Sequence, residues 1–189
     1  MLKLISKWLS KLFYPFISIA WFYVYGTFIN GAISKLECLG FALMVGFPAI
    51  IWLIWNVKRG YYQDADVSDK RKRQSLYYFL IGIFMVYNIG FYYQFGRVDV
   101  KILYLLGLTI VLFLSNYFIK TSMHTAYNVF VATLFYSLGA LEWCIVWILV
   151  TMIVGWSRLV LKRHSKNEVV LGGVIGIVVS ICYICTLRI

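Results

Sequence analysis

Two histidines are the residues of this chain best suited to chemistry, and both stand where apolar sequence meets charged sequence. His164 lies in "WSRLVLKRHSKNEVV" and His124 lies in "KTSMHTA". The first stretch has the order Ser157, Arg158, five residues, His164, three residues, Glu168. Positions four apart on a helix share a face, so Glu168 can reach the imidazole. Such residues suit proton transfer and anion binding, although a histidine at a headgroup interface can equally be a simple anchor.

The composition indicates that these residues belong to a membrane protein. Of the 189 residues, 62% are hydrophobic and 13% are charged, far from the averages of soluble globular domains. Hydrophobic segments continue to the C-terminus, so we expect no cleaved signal peptide. The net charge of +11 comes from cations at the ends of apolar stretches, where they meet lipid headgroups. We therefore expect the membrane as a partner and no nucleic acid.

Seven apolar stretches are candidates to cross the hydrocarbon layer, which takes about 20 residues as a helix. They are residues 12–33, 38–57, 76–95, 101–119, 124–140, 142–158 and 168–187. Before them, Lys3, Lys7 and Lys11 alternate with apolar residues in the pattern of a helix lying in the interface. Because backbone groups must be satisfied within hydrocarbon, the predicted fold is all-α. We expect one domain over residues 1–189, a polytopic bundle of about six to seven transmembrane helices with an N-terminal interfacial helix.

The distribution of cations predicts an orientation. With seven crossings, the N-terminus, the loop 58–75, the junction 120–123 and the loop 158–167 share one side of the membrane. That side carries 14 of the 18 lysines and arginines, and the other four are Lys35, Arg97, Lys101 and Arg188. The positive-inside bias predicts that the rich side, which also carries both histidines, faces the cytoplasm. The sequence thus predicts a multi-pass protein of the cell membrane.

Three short motifs on this side resemble the signature of the type 2 phosphatidic acid phosphatase superfamily. The first motif of that family ends in arginine, and "DADVSDKRKRQ" supplies Arg73. The second has the form PSGH, and "KTSMH" places a serine two residues before His124. The third, SR-x5-H-x3-D, is the most specific and resembles Ser157 to Glu168. The resemblance covers about residues 64–176 and looks like a variant branch of the superfamily.

The resemblance implies a role for each residue in hydrolysing a lipid phosphomonoester or diphosphate. His164 would be the nucleophile that forms a phosphohistidine, and Glu168 would accept a hydrogen bond from its other ring nitrogen. His124 would protonate the leaving alkoxide and then activate water. The phosphoryl oxygens would be bound by Arg73, Arg158, Ser122 and backbone N–H groups near Met123.

The first motif departs most from the family pattern. Asp66 stands where lysine is expected, seven residues before Arg73, and Gln74 replaces proline. Lys70 or Lys120 would then have to supply the missing cation. The other motifs depart less, with glutamate in place of aspartate in the third and with threonine and methionine in place of proline and glycine in the second.

The remaining features have simpler interpretations. The superfamily mechanism needs no metal, so the resemblance implies no cofactor, although Asp64, Asp66 and Asp69 could bind a divalent cation. Gly172 and Gly176 form a GxxxG pair typical of close helix packing. The four cysteines fall within apolar segments and are interpreted as small apolar fillers.

Three functions from different classes are therefore considered. The first is a metal-independent membrane lipid-phosphate phosphatase. The second is an intramembrane prenyltransferase, suggested by the aspartates of residues 64–69 and the helical build, although such enzymes typically need paired acidic motifs with magnesium. The third is a non-catalytic relative that binds lipid phosphate without turnover. The headgroup, the tail and the oligomeric state are left open.

Overall fold

The computed structural model describes residues 1–67 and 69–187, and every regular element in these ranges is helical. The predicted all-α class is therefore confirmed. The elements are α1 (Leu2–Leu12), α2 (Pro15–Phe28), α3 (Lys35–Phe41), a π-helical turn (Ala42–Gly46), α4 (Phe47–Lys58), α5 (Lys72–Phe95), α6 (Val100–Phe118), α7 (Met123–Ser137), α8 (Leu141–Val160) and α9 (Lys166–Leu187). The π-helical turn joins α3 and α4 into one continuous helix from Lys35 to Lys58.

Five helices of the described ranges are long and apolar enough to cross a membrane, where the sequence predicted six to seven. They are Lys35–Lys58, α5, α6, α8 and α9. The predicted spans 12–33 and 124–140 correspond to α2 and α7, which have only 14 and 15 residues. At 1.5 Å per residue these helices measure about 21–23 Å, less than the ~30 Å hydrocarbon layer. They are shorter because α2 runs only from Pro15 to Phe28, and α7 ends at Ser137, just before Gly139 with its positive φ of 73°.

The short helix α7 lies at the centre of the bundle. It packs against α8 and α9 along its length and also contacts α2 and α6. All residues from 121 to 128 are buried, including polar side chains that would be costly to expose to hydrocarbon. The first half of α7 therefore does not face lipid and can carry polar groups inside the bundle, whereas Tyr136 near its end is exposed.

Two glycines of α9 allow it to pack closely against α7. A Cβ on Gly172 would stand 2.6 Å from the carbonyl oxygen of Ser122, and one on Gly176 would stand 2.8 Å from that of Ala126. Both distances are shorter than real Cβ contacts. Close helix packing at the GxxxG pair is thus confirmed, and it holds the first turn of α7 against α9.

The predicted N-terminal helix is confirmed as α1. Its apolar side chains Ile5, Trp8 and Leu12 are exposed, while Ser6 and Ser10 are buried. The helix packs against α8. It therefore presents an apolar exposed face and turns its small polar residues toward the bundle, as expected of an interfacial helix.

The chain connections gather at the two ends of the bundle. The α1–α2 junction meets residues 119–122 and 161–165 and the described part of the 59–71 loop (59–67 and 69–71) at one end, where the Tyr14 hydroxyl donates to the Ala65 carbonyl. At the opposite end the fully buried Asp99 caps α6 and accepts hydrogen bonds from Tyr23 and Tyr87. The first end carries both histidines. Arg188, assigned from the sequence to the opposite side, lies outside the described residues.

We expect Gly176→Ala to destabilise the protein much more than Gly173→Ala. A methyl group at Gly176 would collide with the backbone of α7, whereas one at Gly173 would meet only the Thr125 methyl at an ordinary 3.9 Å. Overpacking of this kind costs about 1–3 kcal/mol. The measurement is the thermal unfolding midpoint of each variant in the same detergent. Equal midpoints for the two variants would contradict the close approach of α7 and α9.

Candidate active site

His164 stands in the turn between α8 and α9 with its ring buried. After α8 ends at Val160, Lys162 adopts a positive φ of 53° and turns the chain, and only 6% of the His164 surface is exposed. Its Nδ1 lies 2.8 Å from Oε2 of Glu168 and 3.1 Å from the carbonyl oxygen of Lys120. The predicted contact between His164 and Glu168, one helical turn apart, is present.

The partners of Nδ1 determine where the ring carries its proton. A carboxylate and a carbonyl oxygen can only accept a hydrogen bond, so Nδ1 must donate. In the neutral ring Nε2 is then left with a lone pair. This atom is buried and has no hydrogen-bond partner among residues 1–67 and 69–187. A neutral imidazole oriented in this way is a nucleophile or a base.

A capping box at the start of α9 holds the Glu168 carboxylate in place. Ser165 N–H donates to Oε2 of Glu168 over 3.1 Å, and Glu168 N–H donates to the Ser165 hydroxyl over 3.3 Å. This reciprocal arrangement satisfies two free donors of the first helical turn. The S-x-x-E spacing in the sequence carries this signal, but sequence reasoning assigned no role to Ser165.

Arg158 is the most deeply buried cation of the site. Only 1% of its surface is exposed. Its Nη1 donates to the Ser10 hydroxyl over 2.7 Å, and its Nη2 donates to Oδ2 of Asp66 over 2.6 Å. Its Nε has no partner within the described ranges. Sequence reasoning missed both partners, since neither Ser10 nor Asp66 is near Arg158 in the chain.

His124 lies in the first turn of α7 and faces the same carboxylate. Its Nε2 is 3.7 Å from Oδ1 of Asp66. The ring also makes an edge-to-face contact with Tyr14, with centroids 5.1 Å apart. Both Nε2 and Oδ1 are buried without a hydrogen-bond partner in the part of the chain that is described. Asp66 therefore joins the arginine of the third motif to the histidine of the second.

Arg73 connects the 59–71 loop to the segment that precedes α7. It is 3% exposed, and it donates from Nε to the Val67 carbonyl over 3.2 Å and from Nη1 to the Thr121 carbonyl over 3.0 Å. The next residue, Ser122, caps α7 through its hydroxyl and donates its N–H to the Glu168 carbonyl over 3.0 Å. The start of α7 is thus fixed against both the 59–71 loop and α9.

The two lysines considered for the missing cation occupy different places. The half-buried Lys120 donates from Nζ to the Arg163 carbonyl over 2.9 Å. The exposed Lys70 donates to the carbonyls of Tyr117 and Phe118 at the end of α6. Lys120 therefore lies beside His164, whereas Lys70 is held at the end of another helix.

The charges around His164 keep its ring neutral. Burial, followed by the positive charges of Arg73, Arg158 and Lys120, lowers the pKa of His164 to about 2. Burial and the charge of Arg73 likewise lower the pKa of Lys120. These interactions place Arg73, Arg158 and Lys120 in one electrostatic group with His164. His124 also contributes to lowering the His164 pKa, so the two histidines share this group.

Each acidic residue of the 59–71 loop is engaged by basic side chains or by backbone N–H groups. Asp64 pairs with Arg163, and Asp69 accepts hydrogen bonds from the backbone N–H groups of residues 71 and 72 at the start of α5. Asp66 pairs with Arg158. Among residues 1–67 and 69–187, no three His, Cys, Asp or Glu side chains gather where they could hold a metal ion.

The described residues thus bring most of the predicted site together at one end of the bundle. His164, Glu168, His124, Arg73, Arg158, Ser122 and Lys120 are gathered there, and Lys70 is not. The arrangement combines a neutral imidazole, a second imidazole and buried guanidinium groups, which suits attack on a bound oxyanion.

No protein-family model, curated protein or solved structure matches the chain.

We expect His164 to be a neutral Nδ1–H tautomer across the physiological range. Because its pKa is lowered, the ring takes up a second proton only far below pH 6.5. The measurement is the pair of ring ¹⁵N shifts of histidine-labelled protein in detergent, with His124→Gln to isolate the His164 signals. A ring that is protonated at Nε2, or that titrates between pH 5 and 8, would contradict the assignment.

Proposed function

We propose that the protein is a membrane phosphatase that hydrolyses a lipid phosphomonoester through a phosphohistidine at His164. One observation carries the proposal: Nδ1 of His164 is engaged by two acceptors, which leaves the buried Nε2 with a lone pair and no partner in the described ranges. The positive charges of Arg73, Arg158 and Lys120 act on the same ring. Positive charge around a nucleophile is what phosphoryl transfer requires, since the reaction places negative charge on the phosphoryl oxygens. The motif resemblance points to the same chemistry.

The reaction has two displacements at phosphorus. In the first, Nε2 of His164 forms a bond to phosphorus while the bond from phosphorus to the lipid oxygen breaks, and a protonated His124 gives its proton to the departing alkoxide. In the second, His124 takes a proton from water, whose oxygen bonds to phosphorus as the N–P bond breaks. Inorganic phosphate and the free enzyme result. The Glu168 carboxylate stabilises the Nδ1–H while Nε2 carries the phosphoryl group.

The surroundings of the site support a lipid substrate. The site lies at one end of a bundle with five candidate membrane spans, beside the exposed apolar face of α1. A phosphate that enters here can leave its apolar tail in the bilayer. We propose a seven-pass topology in the cell membrane, with α2 and α7 as short passes, and a site that opens to the cytoplasmic leaflet, because the cations concentrate at this end.

A non-catalytic lipid-phosphate binder is the second candidate. The observation that favours it is Asp66, a carboxylate in contact with Arg158 where the resembled family has a cation. A prenyltransferase is less well supported, since the aspartates of the 59–71 loop are engaged by Arg158, Arg163 and the start of α5. Magnesium-dependent prenyl transfer would favour that enzyme instead.

We expect the purified protein to release phosphate from lipid phosphates without added metal and to be inhibited by vanadate. His164→Ala removes the nucleophile and should lower kcat by about 10⁴-fold or more. His124→Ala removes the acid and should lower kcat by about 10²–10⁴-fold. The measurement is phosphate release in mixed micelles containing a chelator, over a panel of lipid phosphates.

The matched control is Lys166→Ala, which removes an exposed charge two residues from His164 and should keep kcat within about twofold. Undiminished turnover in His164→Ala would refute the nucleophile. Tight binding of lipid phosphate by wild type, with no release of phosphate over hours, would favour the non-catalytic candidate.

A further inference from the structure

The Asp66 carboxylate occupies the centre of the cationic site. Its Oδ2 is 2.6 Å from Nη2 of Arg158 and 3.7 Å from Nε of Arg163, and its Oδ1 is 3.7 Å from Nε2 of His124. The side chain is 18% exposed. Burial acts to raise the pKa of Asp66, but His124, Arg158 and Arg163 together lower it to about 2. A permanently charged carboxylate therefore stands where an oxyanion would bind.

Asp66 occupies one of the two adjacent N–H groups of Arg158 that a phosphoryl group would use. Nε and Nη2 form the side edge of a guanidinium, which binds two oxygens of a carboxylate or phosphate in parallel. Asp66 uses Nη2, while Nε is buried without a partner in the described ranges. A phosphoryl oxygen that bonds to this Nε would lie next to the carboxylate.

A phosphoryl oxygen and an Asp66 carboxylate oxygen that lie this close need a proton between them. Two unprotonated anionic oxygens repel each other, whereas one shared proton turns the contact into a short O–H···O⁻ hydrogen bond of about 2.5–2.7 Å. Oδ1 of Asp66 is buried and has no hydrogen-bond partner among the residues that the structure describes. It can therefore accept such a bond from a P–OH group.

The other groups that face Asp66 come from each neighbouring element. They are His124 on α7, Arg158 on α8, Arg163 in the α8–α9 turn, Lys120 before α7 and Tyr14 before α2. Arg158 and Arg163 are always charged, and His124 is protonated at the start of the proposed reaction, so these three groups donate to the ligand and do not accept its proton. Asp66 is thus the acceptor best placed for a ligand proton.

We propose that Asp66 is a specificity-determining residue that makes the site select a singly protonated phosphoryl group over a fully ionised one. The inference rests on the proposed phosphatase function and refines its substrate: a phosphomonoester monoanion, or the P–OH of another phosphoryl ligand, binds in preference to a dianion. The lysine of the resembled family carries the opposite charge at this position and would favour the dianion.

The selection has a measurable pH signature. The second ionisation of a phosphomonoester has a pKa of about 6, so above it the monoanion fraction falls about tenfold per pH unit. Wild-type affinity for a phosphomonoester should fall in parallel between pH 6.5 and 8.5. Inorganic phosphate keeps a P–OH group in both HPO₄²⁻ and H₂PO₄⁻, so it should bind over the whole range. Sulfate has the same shape but carries no proton at these pH values, so it should bind weakly, and its own pH dependence reports only the titration of protein groups.

The experiment measures dissociation constants of inorganic phosphate, sulfate and a soluble phosphomonoester, the last before it is hydrolysed, for the full-length protein in detergent from pH 5.5 to 8.5. Wild type is compared with Asp66→Asn, which has no charge and can donate a hydrogen bond. The matched control is Asp64→Asn, which removes a carboxylate of the same loop that pairs with Arg163 rather than Arg158. We expect Asp66→Asn to bind sulfate at least tenfold more tightly than wild type does and to lose the pH dependence that is specific to the phosphomonoester, while Asp64→Asn keeps it.

Each outcome separates this inference from the function on which it rests. Wild type that binds inorganic phosphate and sulfate equally, and that binds the phosphomonoester with the same pH dependence as sulfate, overturns the role of Asp66 and leaves the phosphatase proposal standing. Absence of oxyanion binding in wild type and both variants overturns both. The wild-type comparison of the two anions decides the matter even if Asp66→Asn does not fold.

Discussion

The buried guanidinium of Arg158 is the constraint on which the arrangement of this end of the bundle depends. A cation with 1% exposure must be paired and hydrogen-bonded, because an uncompensated buried charge costs about 3–5 kcal/mol. The partners are Ser10 of α1 and Asp66 of the 59–71 loop. The hydrogen bond to Ser10 and the ion pair with Asp66 therefore hold the N-terminal helix and the loop against the end of α8. Arg73 extends these contacts to residues 119–122 through the Thr121 carbonyl.

The contact between α7 and α9 places the two histidines relative to each other. The glycines of α9 let the backbone at Ser122 come close enough for its N–H to donate to the Glu168 carbonyl. His124 follows Ser122 by two residues, and Glu168 holds His164. Packing that stabilises the bundle thus also sets the geometry of the site, so a change in helix packing is expected to alter the chemistry.

The sequence predicted the features that depend on local pattern. Hydrophobic runs indicated an all-helical fold, the spacing of lysines indicated α1, and the GxxxG pair indicated a close helix contact. The contact of His164 with Glu168 could be predicted because the two residues are only four positions apart, although His164 lies in the turn before α9 and not on the helix. The number of long spans was overestimated because hydrophobicity alone does not show that α2 ends at Phe28 and α7 at Ser137.

Contacts between residues that are far apart in the chain could not be predicted from the sequence. Ser10 and Arg158 are 148 residues apart, and Asp66 and Arg158 are 92 apart, so no local spacing could pair them. Lys70 and Lys120 were indistinguishable as candidates until their carbonyl partners showed that only Lys120 lies beside His164. Asp66 marked a departure from the family motif, but its position between an arginine and a histidine follows only from the fold.

The central claim is that His164 forms a covalent bond to phosphorus, and trapping that bond tests it most directly. The protein is mixed with a lipid phosphate labelled with ³²P, quenched within one turnover in alkali, and digested for peptide analysis. Our account predicts label on the peptide that contains His164, in a linkage stable to alkali and labile to acid, and none in His164→Ala. Full turnover with no label on His164 at any quench time would contradict it.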